Sequence, residues 1–223
     1  WKENRLPEQW TIGYRDLKFL IRPMGFKHTG LFPEQAANWD WFAEKIKPAG
    51  RPIKVLNLFA YTGGATVAAA KAGAAVVHVD AAKGMVAQAK ENARLSGLAD
   101  APIRYIVDDC KKFVEREIKR GNFYDGIIRG PPSYGRGPSG EVWKIEECVD
   151  GLVELASGLL SREPLFFLIN SYTTGLSPLA MSYILDLKVR ARFGGKIEAG
   201  ELGIRVSRTG AYLPAGASAR WEL

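Results

Sequence analysis

The sequence predicts an α/β protein: a doubly wound, mostly parallel sheet with an antiparallel hairpin at its C-terminal end and a small N-terminal β-hairpin extension. Three observations predict it. From Ile53 onward, apolar runs of strand length alternate with helical stripes, the pattern of a parallel sheet covered on both faces. Glycines and aspartates recur where those runs end, at Gly63, Asp80, Asp108 and Gly130. Two β-prone runs around Arg208-Thr209-Gly210 close the chain, as in a hairpin.

The elements follow in order. Trp10 to Ile21 reads as two β-prone runs turning at Arg15-Asp16. Pro23 to Gln35 is broken by Gly and Pro and reads as a loop. Ala36 to Ile46 carries Trp39, Phe42 and Ile46 at helical spacing. Strands are then predicted over Ile53–Phe59, Ala75–Val79, Ile103–Val107, Tyr124–Ile128 and Leu165–Ile169. Between them lie helices over Gly64–Gly73, Lys83–Ser96 (stopped by Gly97), a segment capped by Asp109, and a long Glu141–Leu160 stretch with Val142, Ile145, Val149, Leu152, Val153, Ala156 and Leu160 inward. Pro178 to about Arg190 is a further helix, and Lys196–Val206 with Ala211–Trp221 forms the closing hairpin.

Composition narrows the function classes. The chain has 223 residues, 47% hydrophobic and 25% charged, as in ordinary globular proteins. Its net charge of +7 fits a polyanionic partner, though it also serves solubility alone. Two cysteines, Cys110 and Cys148, are too few for a disulfide scaffold and fit a reducing, cytoplasmic setting. No apolar run reaches membrane-spanning length, so no membrane partner is expected, and no signal peptide opens the chain. It begins at Trp1, as a piece of a longer protein would. Neither His28 nor His78 belongs to a ligand-like cluster, so no metal is expected, and His78 reads as a core histidine.

Sheets of this kind bind ligands beyond the carboxyl ends of their strands. The first central strand ends in Phe59-Ala60-Tyr61-Thr62-Gly63-Gly64, a turn whose glycines let backbone approach a ligand. It lacks the full G-x-G-x-x-G fingerprint, which argues against a nicotinamide or flavin. Asp80 could accept both hydroxyls of a ribose, and Asp108 or Asp109 an adenine amino group; each could equally cap a helix. Their conjunction on neighbouring strands favours an adenosine-bearing ligand. The fourth strand runs into Arg129-Gly130-Pro131-Pro132-Ser133-Tyr134. Its carbonyls could accept from a substrate amine and Tyr134 could stack on a base; the alternative is a rigid surface loop.

These residues resemble a class I S-adenosylmethionine (SAM)-dependent methyltransferase with its Rossmann-like sheet, and more narrowly the bacterial family around 23S rRNA large-subunit methyltransferase I. The segments that carry the resemblance are Lys27–Gln35, Asn57–Gly64, Val77–Asp80, Val107–Asp109 and Tyr124–Pro132. The resemblance implies that Phe59, Ala60, Tyr61 and Gly63 wrap the methionine part of SAM, that Asp80 holds its ribose, and that Asp109, with Asp108 beside it, reads the adenine. It implies that Thr29 and Gln35 close over the cofactor and that Gly130, Pro131, Pro132 and Tyr134 form the catalytic loop, with S-adenosylhomocysteine (SAH) as product. Residues 1–50 are then a hairpin, loop and helix packed on the SAM site, and residues 51–223 the catalytic domain.

Two departures qualify the resemblance. The family usually has Asp or Asn before Pro-Pro, to accept from the target amine, and here the residue is Gly130. The preceding Arg129 would hold phosphate if it reached the cleft. No cysteine follows the strand-five tip at Asn170-Ser171-Tyr172, and Cys110 and Cys148 read as packing residues, so cytosine C5 chemistry is disfavoured. The expectation is in-line methyl transfer to a nitrogen of RNA, ribosomal RNA favoured, with Arg136 and Lys144 on its phosphates. Alternatives are a catalytically impaired SAM- or RNA-binding protein, and a methyltransferase of a protein or small-molecule acceptor.

Overall fold

The apolar run Val55-Leu56-Asn57-Leu58 is buried on both faces, and this places it at the centre of the sheet. The structure, a computed structural model, describes residues 5–24, 28–136 and 142–223, with the side chain of Arg136 outside that set. Seven strands form the main sheet: β3 (Lys54–Leu58), β4 (Ala75–Asp80), β5 (Ile103–Val107), β6 (Gly126–Arg129), β9 (Phe166–Ser171), β10 (Lys196–Arg205) and β11 (Tyr212–Glu222). Their order is β5-β4-β3-β6-β9-β11-β10. The first five are parallel, β11 runs antiparallel to β9, and β10 pairs antiparallel with β11 through a bulge at Leu202/Gly203. The chain leaves β3 toward β4 and returns to its other side as β6, so the switch point for a ligand lies at the β3 and β6 tips.

Helices cover both faces. On one, α1 (Ala36–Ile46) and α2 (Gly64–Lys71) pack with the hairpin of β1 (Trp10–Tyr14) and β2 (Leu17–Ile21), burying Phe19, Trp39, Phe42 and Val67 against Val55 and Ile128. Ala93 of α3 (Lys83–Leu95) joins that core. On the other, α4 (Cys110–Arg120), α5 (Ile145–Ser157) and α6 (Pro178–Leu185) bury Phe113, Val149, Val153 and Met181 against Leu58, Ile127 and Phe167. Asp109 caps α4 as predicted, its Oδ1 accepting from the Lys112 N–H at 2.8 Å.

The long helix begins later than its periodicity predicts. Glu141 lies outside the described residues, and Val142–Lys144 is a strand, β8, paired antiparallel with β7 (Tyr134–Arg136). Val142 is therefore half exposed rather than inward. It stands three residues before Ile145 and so extends the helical stripe, but β-branched Val142 and aromatic Trp143 suit a strand, and pairing there satisfies the backbone that leaves the Pro-Pro turn. The helix ends at Ser157, so Leu160, though buried, lies beyond it. Tyr124 precedes β6, bridges to Leu160 and donates its hydroxyl to Glu117 Oε2 at 2.6 Å. No helix among the described residues is long and apolar enough to cross a membrane.

Candidate active site

The turn after β3 is held in a sparsely populated conformation. Phe59, Tyr61 and Gly63 have φ of 53°, 51° and 80°. Two bulky aromatics in the left-handed region cost free energy, and such strain collects at ligand sites. Neighbours fix it: Asp80 Oδ2 accepts from the Tyr61 N–H at 2.8 Å, Cys110 Sγ from the Phe59 N–H at 3.2 Å, and the Ala60 N–H donates to Val79 O at 3.0 Å. A Cβ at Gly63 would stand 2.7 Å from Ala89 Cβ, so glycine there also lets α3 approach the turn. Thr62 Oγ1 donates to Gly30 O at 2.6 Å and ties the turn to the N-terminal loop that carries Thr29.

A cavity of about 90 Å³ opens between the tips of β3, β6 and β9, beneath the loop before α1. Its walls include Gln35, Phe59, Ala60, Tyr61 and Gly130, all singled out by sequence, together with Phe32, Trp39, Asn57, Ile128, Asn170 and Tyr172, which were not. Aromatic faces surround it: Phe32 lies 5.0 Å from Tyr172, nearly stacked, and 5.3 Å from Tyr61. Such a wall suits a sulfonium cation, and a Cβ at Gly130 would meet only Asn170 Nδ2 at 3.8 Å, leaving room beside it. The chain present therefore fits SAM at these strand ends.

Thr29, Gly63, Asp80, Asp108, Asp109, Pro131, Pro132, Tyr134 and Lys144 are not in that wall. Asp80 adjoins it through Tyr61, its Oδ1 accepting from the Ala82 N–H at 2.9 Å; each oxygen keeps a further lone pair. Asp108 Oδ1 accepts from the Asp109 N–H at 2.9 Å, and its other oxygen pairs with Arg116. Pro131 is buried and Pro132 exposed. The Pro132 carbonyl, expected to face a substrate amine, accepts from Trp143 Nε1 at 2.7 Å, and the Trp143 ring lies 5.3 Å from Phe59. Tyr134 is 53% exposed on β7. Lys144 is exposed and pairs with Glu147 at 2.8 Å, and the side chain of Arg136 is outside the described set.

Arg129 does not reach the cleft. Its side chain is fully buried beneath α5, where Nη1 donates to Val149 O at 3.2 Å while Nε and Nη2 have no partner among the described residues. Alternation along β6 explains this: Gly130 turns toward the cavity, so Arg129 faces the opposite layer. Burial pushes its pKa down to about 9. Burial likewise pushes the Cys110 thiol up to about 12, so it stays protonated and serves as a packing residue. Cys148 is only half buried. His78 is buried as expected, with Nδ1 2.9 Å from Thr66 Oγ1, but Nε2 has no partner among the described residues.

Gln35 belongs to a polar network whose other members sequence reasoning missed. Arg220 Nε donates to Asn38 Oδ1 at 2.7 Å. Asn38 Nδ2 donates to Gln35 Oε1 and Asn170 Oδ1, each at 2.9 Å. Gln35 Nε2 donates to the Tyr172 hydroxyl at 2.7 Å. The available signals were Asn57 and Asn170 as polar residues within or ending apolar strands, and Asn38 beside the apolar stripe of α1. Among the described residues, no cluster could hold a metal ion.

Comparison with known proteins agrees with this geometry. A family model, S-adenosylmethionine-dependent methyltransferase, matches residues 1–159. The SAM-dependent methyltransferase from Agrobacterium tumefaciens superposes with TM-score 0.92 at 39% identity, covering 99% of this chain and 72% of that one. SMU.776, solved with SAH, superposes at 0.75 over 97% of this chain and 57% of its own; at 23% identity it speaks to the fold. Among curated relatives, ribosomal RNA large subunit methyltransferase K/L of Syntrophotalea carbinolica is 31% identical over 173 residues, 77% of this chain and 23% of that protein. The Shewanella frigidimarina counterpart is 33% identical over 146 residues, 63% of this chain and 20% of that protein. The chain thus spans about a fifth of the length of these curated relatives. A sheet whose order reverses beside a strained, aromatic-walled turn, in a chain matched over most of its length by one family model, makes this protein a member of the S-adenosylmethionine-dependent methyltransferases, related to the large-subunit ribosomal RNA enzymes.

Proposed function

We propose that the chain transfers the SAM methyl group to a nitrogen of RNA, with ribosomal RNA as the natural acceptor. The observation that carries this reading is the 31% identity to a ribosomal RNA large subunit methyltransferase over 77% of the chain. SAM supplies an electrophilic methyl on a sulfonium, so the protein's work is to bind, orient and exclude water. Phe59, Ala60 and Tyr61 hold the methionine part through the strained turn, Gly63 lets the backbone close in, Asp80 takes the ribose, and Asp109 with Asp108 lies at the adenine end. Gln35 and Thr29 cover the site from the N-terminal loop. Gly130, Pro131, Pro132 and Tyr134 border the acceptor, and Arg136 and Lys144 offer positive charge to phosphates beside it. Residues 1–50 act as a cover on the catalytic unit formed by residues 51–223. The neutral, buried Cys110 supports nitrogen over cytosine C5, which needs a thiolate.

Mass spectrometry of ribosomal RNA nucleosides from cells with and without the gene tests this. One modified nucleoside is expected to disappear; an unchanged profile contradicts the reading. A second reading is favoured by one observation, the absence of any side chain at Gly130, where the cavity has room for one. If the chain binds SAM but does not methylate, Gly130→Asp should restore transfer, and full activity of the parent chain would remove this reading.

A further inference from the structure

The amide network at the cavity has only one consistent polarity, and its consequence falls on the acceptor. A guanidinium has donors and no acceptor. Arg220 lies over the Trp41 ring, 5.4 Å from its centroid, and donates to Asn38, so the Asn38 oxygen must face it. Asn38 Nδ2 then points the other way and spends both protons, on Gln35 Oε1 and Asn170 Oδ1. Asn170 thereby turns its Oδ1 to Asn38, and its NH2 group is the end of the amide that faces Gly130 and the cavity. That nitrogen is the atom nearest the open space at Gly130, and no hydrogen bond among the described residues engages it. Asn170 is 5% exposed, so this donor is left for whatever fills the cavity.

Resting on the proposed RNA reading, we infer that Asn170 meets the methyl acceptor as a hydrogen-bond donor, held in that sense by Arg220 acting through Asn38. The site then selects a base edge that offers lone pairs, an unprotonated ring nitrogen beside a carbonyl oxygen, over an exocyclic amine. An amine that takes a methyl must give up a proton, and with Gly130 in the motif no side chain there accepts it. A ring nitrogen without a proton needs none: its lone pair forms the N–C bond, the S–C bond breaks, and sulfur keeps that pair. Asn170 is the specificity-determining residue; Asn38 and Arg220 are positioning residues.

The test uses the 15N-labelled chain with saturating SAH, titrated with inosine monophosphate and with adenosine monophosphate, which share an unprotonated N7 and differ in a carbonyl oxygen against an amine at C6 and in the proton that N1 carries only in the former. The carbonyl nucleotide is expected to bind at least fivefold tighter and to shift the Asn170 side-chain amide. Asn170→Asp is expected to reverse that order, and Arg220→Met to narrow the preference below twofold. Tighter binding of the amine nucleotide, an unmoved Asn170 amide with both, or an order unchanged in Asn170→Asp overturns the inference. A large loss of SAH affinity in Asn170→Asp overturns it too, by placing Asn170 on the cofactor. Failure of the RNA reading is registered separately, in the ribosomal RNA nucleosides of cells lacking the gene.

Discussion

Arg129 is the residue whose place the physics explains least comfortably. A buried guanidinium with one bond to a carbonyl and two donors unengaged among the described residues carries a desolvation cost that the single bond offsets only in part. Arg129→Met keeps the length of the chain and removes the charge. The variant is expected to be more stable, by about 1–3 kcal/mol, the scale of buried donors left unmade. Urea unfolding reads this, and a variant less stable than the parent would mean that Arg129 has found a partner. His78 gives the acid-side counterpart. Burial lowers its pKa from 6.5 to about 4. The unfolded state then binds the proton more readily, so stability is full above pH 6.5 and falls as pH drops toward 4. The loss from pH 7.5 to 5 attributable to this group is on the order of 2 kcal/mol. In urea titrations at the two pH values, His78→Gln should show a smaller fall than the parent; equal falls would assign the acid sensitivity elsewhere.

Among the elements, the β7–β8 pair adjoins the Pro-Pro turn. Its Trp143 bonds the Pro132 carbonyl and lies against Phe59, so it couples the Pro-Pro turn to the strained turn after β3. Trp143→Phe keeps a ring on Phe59 and loses the bond. It is expected to lower kcat for RNA methylation about tenfold, the effect of a loosened acceptor loop, and to leave SAH affinity nearly unchanged. Calorimetry with SAH beside single-turnover methylation separates the two, and an unchanged kcat would make the bond incidental. This pair is also where the sequence misled. The three-residue step from Val142 to Ile145 fits a helix as well as it fits a strand that hands over to one, and periodicity cannot separate them. By contrast α1 has its predicted limits, Ala36 to Ile46, because Trp39, Phe42 and Ile46 make a single buried stripe. The amide network was not legible at all. Arg220 and Asn38 stand 182 positions apart, and neither carries a local signal that the other is its partner.

At the scale of the whole molecule, the alternation of strands and helices was readable because the central parallel strands β3, β6 and β9 are buried on both faces and helices such as α1 and α4 bury one stripe. The order reversal at β3 and β6 then put the conspicuous turns at one end of the sheet. What the sequence could not show is how that end is closed. There α1, from the N-terminal segment, is joined to β11, the last strand, through Asn38 and Arg220. A second, larger cavity of about 230 Å³ lies among Lys54, Arg104, Phe123 and Tyr124, near the amino ends of β3 and β5, so each end of the sheet has a cavity. The most direct measurement is a backbone amide NMR titration with SAH. Perturbations are expected at Ala60 to Gly64, Asp80 to Ala82, Asp108 to Cys110 and Gly130. Perturbations gathered at Lys54, Arg104 and Phe123, with the turn after β3 unmoved, would contradict it.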